Sequence, residues 1–462
     1  MLTTNFPKIE NDLNDVVRSF TSIPQDVMIS HTLIENVDSY VNTVVINGET
    51  FSSSVAKEEC AGEIKKVRLI KRYAKILLYD SLQKVYPEYH PWGSLTGIRP
   101  VKLFRSLTEK EGIDATDFFL NTYKVSKDKT ELTRRIYEAQ KPLYERSDNG
   151  LDLYIGIPFC LTRCYYCSFI SQDLRHTPES LVDEYVEALI KDILFAKRII
   201  IAHNYKLRSV YMGGGTPTSL SASQLEKVLS VCDFDVPEFT VEAGRPDTIT
   251  KDKLDVIGSR ANRISVNPQT SHNKTLDAIG RNHTFEDFLN CYDLASQYNF
   301  SINCDLIAGL TGETEKDFVQ SVEKIISLSP DNITLHTLAL KAGSKLKETT
   351  RKNVNDEIVA MINGGYERLN AAGYSPYYLY RQKYMAGNLE NTGFFRNTPC
   401  VYNIDIMEEN TSNLACGANA ISKKFFGKEN RIERFAYPKD VKTYIQKLDD
   451  NISKREKMFE KD

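Results

Sequence analysis

The stretch Tyr154-Ile-Gly-Ile-Pro-Phe-Cys160-Leu-Thr-Arg-Cys164-Tyr-Tyr-Cys167 places three cysteines within eight residues, directly after a short β-rich run. Three thiolates spaced C-x3-C-x2-C can wrap one loop around a soft-metal centre. If that centre is a [4Fe–4S] cluster, three cysteines leave one iron without a protein ligand, and an open coordination position can bind a cofactor or substrate directly. The three cysteines therefore indicate a reactive metal centre.

Two other interpretations of these cysteines stay open at this point. A structural zinc ion would need a fourth close ligand, and the nearest candidate, His176, has a spacing from Cys167 that matches none of the usual finger patterns. The three could instead be buried structural cysteines, although that interpretation must explain why they converge on one polar loop with Arg163 among them.

From about residue 150 onward, β-rich runs alternate with helix-length amphipathic segments, as in successive βαβ units of a parallel sheet. Helices are predicted over 181–200 and 315–327. Six strands are predicted, at 153–157, 209–212, 239–242, 263–266, 301–307 and 332–336. Because a closed (β/α)8 barrel needs eight strands, these six predict an α/β fold with an open, partial (β/α)6 barrel whose active site lies at the carboxyl ends of the strands.

The chain before the barrel has a different pattern. Residues 1–148 contain a strand pair at 26–35 and 43–51 and a long charged helix at 56–85. This pattern predicts a separate N-terminal α+β domain.

The chain after the barrel changes pattern again. Residues 346–462 begin with a helix at 355–371, followed by a Tyr-rich strand at 375–380, a Gly/Asn-rich loop and a strand-like run at 403–407. This pattern predicts a C-terminal α+β cap, so that the barrel domain occupies residues 149–345.

Composition and charge limit the class of protein. The chain has 462 residues, of which 41% are hydrophobic and 26% charged, as in globular proteins. A net charge of −3 supplies no broad basic field, so nucleic acid and anionic membrane surfaces are disfavoured as partners. No apolar run approaches the roughly 18 residues of a membrane span, and the first ten residues lack a secretion signal. We therefore expect a cytoplasmic protein whose thiols stay reduced.

A glycine-rich segment, Met212-Gly-Gly-Gly-Thr-Pro217, follows the second predicted strand. Three successive glycines let the backbone approach a ligand closely and expose its N–H and C=O groups. Taken alone, the segment could equally be a flexible turn before a helix capped by Ser221.

Polar residues fall near the ends of the later strands. Glu242 ends the third strand, Gln269 follows the fourth, Asp305 lies in the fifth, and Arg281 lies just beyond the helix after the fourth strand. Most of these groups lie at the rim where barrel enzymes bind their ligands. Each of them taken singly could be a solvated surface residue.

The cysteine spacing, with an aromatic residue at Tyr166, resembles the signature of the radical S-adenosylmethionine (SAM) superfamily. In that superfamily the open iron chelates the amino and carboxylate groups of SAM, and one electron from the reduced cluster cleaves SAM to methionine and a 5′-deoxyadenosyl radical. The resemblance implies that Cys160, Cys164 and Cys167 bind a [4Fe–4S] cluster and that SAM is the second cofactor. The protein would then supply position and exclusion of water.

Further segments resemble elements that contact SAM in the oxygen-independent coproporphyrinogen III oxidase group. They are Val241-Glu-Ala-Gly, Asn267-Pro-Gln269, Gly280-Arg-Asn-His283 and Asp305-Leu-Ile-Ala-Gly-Leu310, together with the GGGTP segment. The implied SAM contacts are Tyr166, Gly213, Gly214, Gly215, Thr216, Glu242, Gln269, Arg281 and Asp305. Glu242 and Arg281 are implied on the methionine part and Gln269 and Asp305 on the ribose, while Tyr154 is implied in the catalytic site.

Within this group the chain is similar to the HemZ-type coproporphyrinogen dehydrogenase-like proteins. The segments that carry this similarity lie at residues 91–100, 242–247 and 414–421. The implied reaction is oxidative decarboxylation of two propionate side chains of coproporphyrinogen III to vinyl groups, which gives protoporphyrinogen IX in haem biosynthesis. The implied partners are this tetrapyrrole and a small electron-donor protein such as flavodoxin or ferredoxin.

Two positions depart from the pattern of the oxidases. They have a further cysteine where this chain has Phe169, and a histidine where it has Gly156. The Cys-x-Phe form resembles the haem-chaperone branch, but residues 387–393 lack the His and Trp of that branch's haem motif. A haem-binding or haem-transfer protein on the same scaffold, or a radical SAM enzyme for another tetrapyrrole, therefore stays an alternative.

A tetrapyrrole that carries several carboxylates favours arginine contacts, because arginine forms bidentate pairs with carboxylates. Arg99, Arg381 and Arg396 are candidates for this contact, and the Tyr-rich segment at 374–384 is a candidate surface for stacking on the macrocycle. Exposed surface arginines and ordinary strand packing are the simpler explanations of these residues.

Overall fold

The computed structural model describes residues 1–57, 62–167, 171–339, 354–382, 385–427, 429 and 431–460. The chain forms two compact units, Met1–Arg134 and Arg135–Asp462. No helix in these described ranges is long and apolar enough to cross a membrane.

The N-terminal unit is an α+β unit with a four-stranded sheet in the order β1-β2-β3-β4. Its elements are β1 (Leu2–Thr4), α1 (Glu10–Ser19), β2 (Ile29–Glu35), β3 (Ser39–Ile46), β4 (Glu49–Ala56), α2 (Glu63–Val85), α3 (Pro100–Glu109), α4 (Ala115–Asp117) and α5 (Lys127–Gln140), in which the division between the units falls. The pair β1–β2 is parallel and the other pairs are antiparallel. Alternate residues of β3 are buried against α2, which gives this unit its own hydrophobic core.

The predicted strand at 43–51 is wrong, because the chain reverses within it. Asn47 and Gly48 have φ angles of 51° and 86°, the left-handed conformation that a two-residue hairpin turn requires and that Asn-Gly favours. The helix predicted from residue 56 begins only at Glu63, because Ala56 still pairs with Ser39 in this hairpin.

The second unit is built on one 11-stranded sheet in the order β13-β14-β12-β11-β10-β9-β8-β5-β15-β16-β17. Its strands are β5 (Gly150–Ile157), β6 (Phe159–Cys160), β7 (Gln172–Asp173), β8 (Lys206–Gly214), β9 (Glu238–Val241), β10 (Arg263–Ser265), β11 (Ser301–Ala308), β12 (Asn332–Thr337), β13 (Ser375–Tyr380), β14 (Asn391–Phe395), β15 (Ser412–Cys416), β16 (Ile421–Phe426) and β17 (Arg431–Ala436), with β6 and β7 pairing separately. Its helices are α6 (Glu179–Ala202), α7 (Ala222–Ser230), α8 (Lys251–Gly258), α9 (Asn273–Ala278), α10 (Phe285–Ser296), α11 (Glu315–Ser327), α12 (Val354–Ala371), α13 (Val401–Glu408), α14 (Val441–Gln446) and α15 (Leu448–Phe459).

The six predicted barrel strands are all present, as β5, β8, β9, β10, β11 and β12. They pair in parallel in this order, and their carboxyl ends therefore meet at one rim. Every residue of β5 is buried except the half-buried Tyr154, as expected for a parallel strand covered on both faces. The six strands form an open sheet within the described residues, so the predicted partial (β/α)6 barrel is confirmed.

The C-terminal residues extend this sheet on both sides. β14 pairs with β12, and β15 lies parallel to β5. The predicted division into domains at residues 148 and 346 therefore differs from the compact units, of which the second runs from Arg135 to the C-terminus.

The strand predicted at 403–407 is wrong, because these residues lie in helix α13. The backbone N–H groups of Val401 and Tyr402 donate to the Glu238 carboxylate, at 2.9 and 3.0 Å, and Asp405 forms an ion pair with Arg208 at 2.6 Å. A carboxylate at a helix N-terminus stabilises the helix. These contacts come from residues distant in sequence, and the alternating pattern of the segment itself does not reveal them.

A buried polar cluster fastens the C-terminal helices to α6. The Asp192 carboxylate accepts hydrogen bonds from the hydroxyls of Tyr437 and Tyr444, both at 2.8 Å, and from the Gly417 N–H at 3.0 Å. Arg455 lies 2.7 Å from the same carboxylate, and both side chains are fully buried. Because every oxygen of Asp192 is engaged, this one carboxylate connects α6, α14, α15 and the loop after β15.

We expect Asp192→Asn to destabilise the protein by about 3–5 kcal/mol, because it leaves the buried guanidinium of Arg455 without a counter-charge. The shift of the urea unfolding midpoint measures this loss. Asp450→Asn is the matched control, since Asp450 pairs with Lys454 on the exposed face of α15, and it should cost at most about 1 kcal/mol. Equal midpoints for the two variants would contradict this account.

Candidate active site

The three cysteines lie on the loop that leaves the carboxyl end of β5. Cys160 ends β6, and a hydrogen bond of 3.1 Å from the Cys167 N–H to the Cys164 carbonyl closes a turn. All three are partly exposed. The interpretation as buried structural cysteines is therefore wrong, and the fully buried cysteines lie elsewhere, at Cys232, Cys304, Cys400 and Cys416.

The cysteine loop carries the donors for a metal centre without closing a single-ion cage. In the part of the chain that the structure describes, no three His, Cys, Asp or Glu side chains are placed to hold one metal ion. His176, the fourth ligand that zinc would need, is exposed. A four-iron cluster binds each thiolate through a different iron and needs its ligands farther apart than one ion does. Three partly exposed thiols on one loop fit a [4Fe–4S] cluster better than zinc.

The glycine segment lies directly against the cysteine loop. Gly215 N–H donates to the Ile157 carbonyl and Thr216 N–H to the Phe159 carbonyl, both at 2.7 Å. The Thr216 hydroxyl lies 3.5 Å from the Cys160 sulfur. A Cβ at Gly215 would stand 2.4 Å from the Phe159 carbonyl oxygen and 3.0 Å from that sulfur. Glycine at this position is a steric requirement of the loop, and Ser221 caps helix α7 as predicted.

Gly213 and Gly214 form the wall beside Glu242. A Cβ at Gly213 would stand 2.8 Å from Glu242 Oε2, and Gly214 has a φ of 113°, which favours glycine. Glu242 accepts hydrogen bonds from the Gly214 N–H and the Tyr211 hydroxyl. Burial, reinforced by the nearby carboxylate of Asp305, raises the pKa of Glu242 to about 7.

Asp305 and Gln269 meet next to Glu242. The Gln269 N–H donates to the Asp305 carbonyl at 3.0 Å, and Gln269 has a left-handed φ of 67°. Its side-chain oxygen is buried and has no hydrogen-bond partner. A non-glycine residue with φ near +60° costs of order 1–3 kcal/mol, and such strain clusters at ligand sites. The strained backbone at Gln269 therefore holds a side-chain oxygen that is free to accept a hydrogen bond from a ligand.

His336 is a site residue that sequence reasoning did not single out. It lies in β12 with Nε2 3.5 Å from the Asp305 carboxylate. Burial by itself raises the pKa of Asp305, but His336 and the hydrogen bonds from Asn303 and Thr334 outweigh it, so the pKa lies below its ordinary value. Asp305 is therefore held as a carboxylate. The position of His336 near the carboxyl end of β12, two residues beyond Thr334, which pairs with Asp305, was the available signal.

Arg281 lies against the cysteine loop, next to Tyr166 of that loop. The Arg281 guanidinium donates to the Asn267 carbonyl at 2.7 Å and interacts with the Tyr166 hydroxyl and the Cys164 thiol. Its Nε is buried and makes no hydrogen bond. Burial raises the pKa of Tyr166, so its hydroxyl stays protonated. Both residues therefore lie next to Cys164.

The interior below the rim is lined by tyrosines. The rings of Tyr154, Tyr211 and Tyr402 are nearly parallel, with Tyr211 and Tyr402 4.4 Å apart. Tyr378 and Tyr380 of β13 stack on each other at 6.4 Å. Burial first, and then the charge of Glu242, raise the pKa of Tyr154. Sequence reasoning found Tyr154 and β13, whereas Tyr402 enters this wall only because α13 folds across the strands.

The candidate substrate arginines fall in three different places. Arg396 lies beside the amino end of β12, at the edge opposite the site, since its neighbour Phe395 pairs with Asn332. Arg381 follows β13 towards the carboxyl rim, is buried and donates to Asn388 at 2.7 Å. Arg99 lies in the N-terminal unit. Arg396 is therefore a wrong candidate, and Phe169 and Tyr384 lie outside the described residues.

We expect Gly215→Ala to reduce cluster uptake several-fold, because its Cβ would push the Phe159 carbonyl and Cys160 out of place. Bound iron and sulfide per chain after anaerobic reconstitution measure the loss. Gly258→Ala, whose Cβ would meet the Tyr298 ring at 3.3 Å and the Phe300 ring at 3.5 Å, is the control and should take up iron normally. Normal uptake by Gly215→Ala would show that the close approach is unnecessary.

Comparison with known proteins agrees with this geometry. Residues 154–325 match the model of the Radical SAM superfamily. The chain is 34% identical, over an alignment of 467 residues that covers 95% of it and 92% of the relative, to the oxygen-independent coproporphyrinogen-III oxidase-like protein HemZ of Bacillus subtilis. It is also 34% identical over 196 residues to the heme chaperone HemW of the same organism, covering 41% of this chain and 50% of HemW. Among solved structures, the coproporphyrinogen III oxidase HemN from Escherichia coli aligns with a TM-score of 0.52 at 20% identity, over 68% of this chain and 73% of HemN, and it shares the fold. The chain therefore belongs to the radical SAM superfamily, among the HemZ-like proteins.

Proposed function

We propose that this protein is an oxygen-independent coproporphyrinogen III dehydrogenase, which converts two propionate side chains to vinyl groups and yields protoporphyrinogen IX. In this reaction each propionate loses one hydrogen atom to the radical that SAM supplies, then carbon dioxide, and one electron to an external one-electron acceptor. The observation that carries the proposal is the convergence of the cysteine loop, the glycine segment and Glu242 at one rim of a tyrosine-lined sheet. The similarity to HemZ over nearly the full length supports the tetrapyrrole as substrate.

Proteins of this superfamily use a [4Fe–4S] cluster and SAM. When bound, these cofactors supply a carbon-centred radical that can remove hydrogen from a substrate. In the proposed site, Cys160, Cys164 and Cys167 hold the cluster. The Thr216 hydroxyl, 3.5 Å from the Cys160 sulfur, orients that ligand.

The residues around the cysteines are suited to bind SAM. Glu242, when ionised, accepts hydrogen bonds from the amino group of the methionine part, and the Gly213–Gly214 backbone permits close approach. The buried Nε of Arg281 is an unused donor for the methionine carboxylate, and the unused oxygen of Gln269 is an acceptor for a ribose hydroxyl. Asp305, kept ionised by His336, accepts from the second hydroxyl.

The tyrosine wall supplies the substrate side of the site. Tyr154, Tyr211 and Tyr402 present flat aromatic surface, and their rings exclude water from the reacting groups. We further propose that a small electron-donor protein such as flavodoxin or ferredoxin reduces the site from outside.

A haem-binding or haem-transfer protein on the same scaffold is the second candidate. The oxidases carry a histidine where this chain has Gly156. A Cβ at Gly156 would stand 3.3 Å from both the Cys416 carbonyl oxygen and the Tyr154 ring, so a larger side chain would require these neighbours to shift. The similarity to HemW supports the same candidate.

An anaerobic product assay separates the two candidates. The reconstituted protein, reduced in the presence of SAM and coproporphyrinogen III, should form 5′-deoxyadenosine and protoporphyrinogen IX, and Cys164→Ser should form neither. Chromatography of the oxidised porphyrins and of 5′-deoxyadenosine provides the measurement. Stable haem binding with no 5′-deoxyadenosine from any tetrapyrrole would support the chaperone instead.

We expect SAM affinity to fall as the pH drops through about 7, because protonation of Glu242 removes its charge as an acceptor. If only the ionised form binds, the dissociation constant rises about tenfold between pH 8 and pH 6. Anaerobic calorimetry of wild type and Glu242→Gln measures this dependence.

Glu242→Gln should bind SAM more weakly at pH 8 and lack this additional tenfold change. The comparison between the two proteins removes the titration of the SAM amino group, which both share. Identical pH profiles would exclude Glu242 as the group responsible.

A further inference from the structure

Arg245 is a buried residue that the proposed chemistry leaves unused. It follows β9 in the segment Glu242-Ala-Gly-Arg-Pro-Asp247, and its side chain is only 4% exposed. Its Nε and Nη2 donate to the two oxygens of Asp247, at 3.0 and 2.7 Å. This bidentate pair fixes the plane of the guanidinium, since both carboxylate oxygens are engaged.

The remaining edge of the Arg245 guanidinium faces the cysteine loop. Nη1 donates to the carbonyl and the hydroxyl of Thr162, at 2.9 and 2.8 Å. The same Nη1 lies 3.7 Å from the Cys164 sulfur. One side chain therefore connects the carboxyl end of β9 to the middle of the cysteine loop.

The geometry points to Arg245 as a positioning residue that tethers the cysteine loop and raises the reduction potential of the cluster through a charged contact with Cys164. This inference rests on the proposed function. Hydrogen bonds and charge at the ligand sulfurs set the potentials of iron–sulfur clusters. Reduction adds one negative charge to the cluster, and a guanidinium, which is always protonated, stabilises the reduced state more than the oxidised state.

Two positive charges act on Cys164. Arg281 also acts on this thiol, so two guanidinium groups face its sulfur, from the end of β9 and from the loop after α9. Asp247 offsets part of the charge of Arg245 but lies on the far edge of its guanidinium. Cys164 is therefore a ligand through which the protein can act on the charge of the cluster.

The contacts require arginine in particular. Two N–H groups bind Asp247 while a third faces Thr162 and Cys164, and only a planar fork presents donors to both sides at once. A lysine ammonium is a point charge without this fork. The Asp247 carboxylate, with a side chain 13% exposed, would also lose its bidentate partner.

The potential of the reconstituted full-length chain tests the inference. In the double variant Arg245→Met/Asp247→Asn both charges are removed together, so that no unpaired buried carboxylate remains. We expect about a tenfold lower equilibrium constant for one-electron reduction, which corresponds to a midpoint about 59 mV more negative. EPR-monitored redox titration measures the midpoint, and iron and sulfide assays confirm that the compared proteins carry equal cluster.

Arg245→Gln is the second variant, because it keeps a donor and removes only the charge, and its midpoint should also be more negative. The matched control is Arg175→Met. Arg175 also pairs with an aspartate two residues away and lies close to the cysteine loop, but its side chain is 58% exposed, so solvent screens its charge and the midpoint should not move.

Hydrogen–deuterium exchange of the cluster-free protein tests the tether separately. Peptides that cover 159–167 should exchange faster in Arg245→Gln than in the wild type and in Arg175→Met. An unchanged midpoint in Arg245→Gln, together with unchanged exchange, overturns the inference while SAM cleavage by the wild type upholds the proposed function. Absence of SAM cleavage in the wild type overturns the proposed function. If Arg245→Gln also exchanges faster, the tether of the cysteine loop by Arg245 is upheld.

Discussion

The candidate site depends on a backbone ladder that continues past the ends of two strands. β5 and β8 pair in parallel as far as Ile157 and Gly214, and the hydrogen bonds from Gly215 and Thr216 extend the pairing to Phe159. This extension leaves 2.4 Å between the Phe159 carbonyl oxygen and the place of a Cβ at Gly215. The position of the first cysteine follows from that distance, because Cys160 is the next residue of the chain.

The ionisation of Glu242 and Asp305 depends on the charges next to them. Glu242 and Asp305 lie close together, and the charge of Asp305 adds to burial in raising the pKa of Glu242. His336 lies 3.5 Å from Asp305 and keeps this carboxylate ionised, whereas the pKa of Glu242 rises to about 7. The two carboxyl groups thereby acquire different protonation behaviour at one rim, and a cationic or amino ligand next to Glu242 would complete the charge balance.

The C-terminal residues complete the site although they are far from the cysteines in sequence. Helix α13 begins at the Glu238 carboxylate and brings Tyr402 against Tyr211. β13 adds the stacked pair Tyr378 and Tyr380 to the same wall. The cluster of Asp192 and Arg455 fastens the final helices behind β15. The strands from β13 to β17 therefore form one continuous sheet, to which residues on both sides of the six central strands contribute.

The sequence by itself determined the local features, because strand periodicity, glycine spacing and cysteine spacing are short-range. It predicted the six parallel strands, the cysteine loop and the rim residues Glu242, Gln269, Arg281 and Asp305, since parallel strands bring their carboxyl ends together. Tertiary structure alone decided that residues 403–407 are helical, that Arg396 lies at the far edge, and that Arg245 and His336 lie beside Cys164 and Asp305. Each of these depends on a partner distant in the chain: Glu238 for α13, Asn332 for the strand before Arg396, Cys164 for Arg245 and Asp305 for His336. A pattern of neighbouring residues does not predict contacts with residues that are distant in the chain.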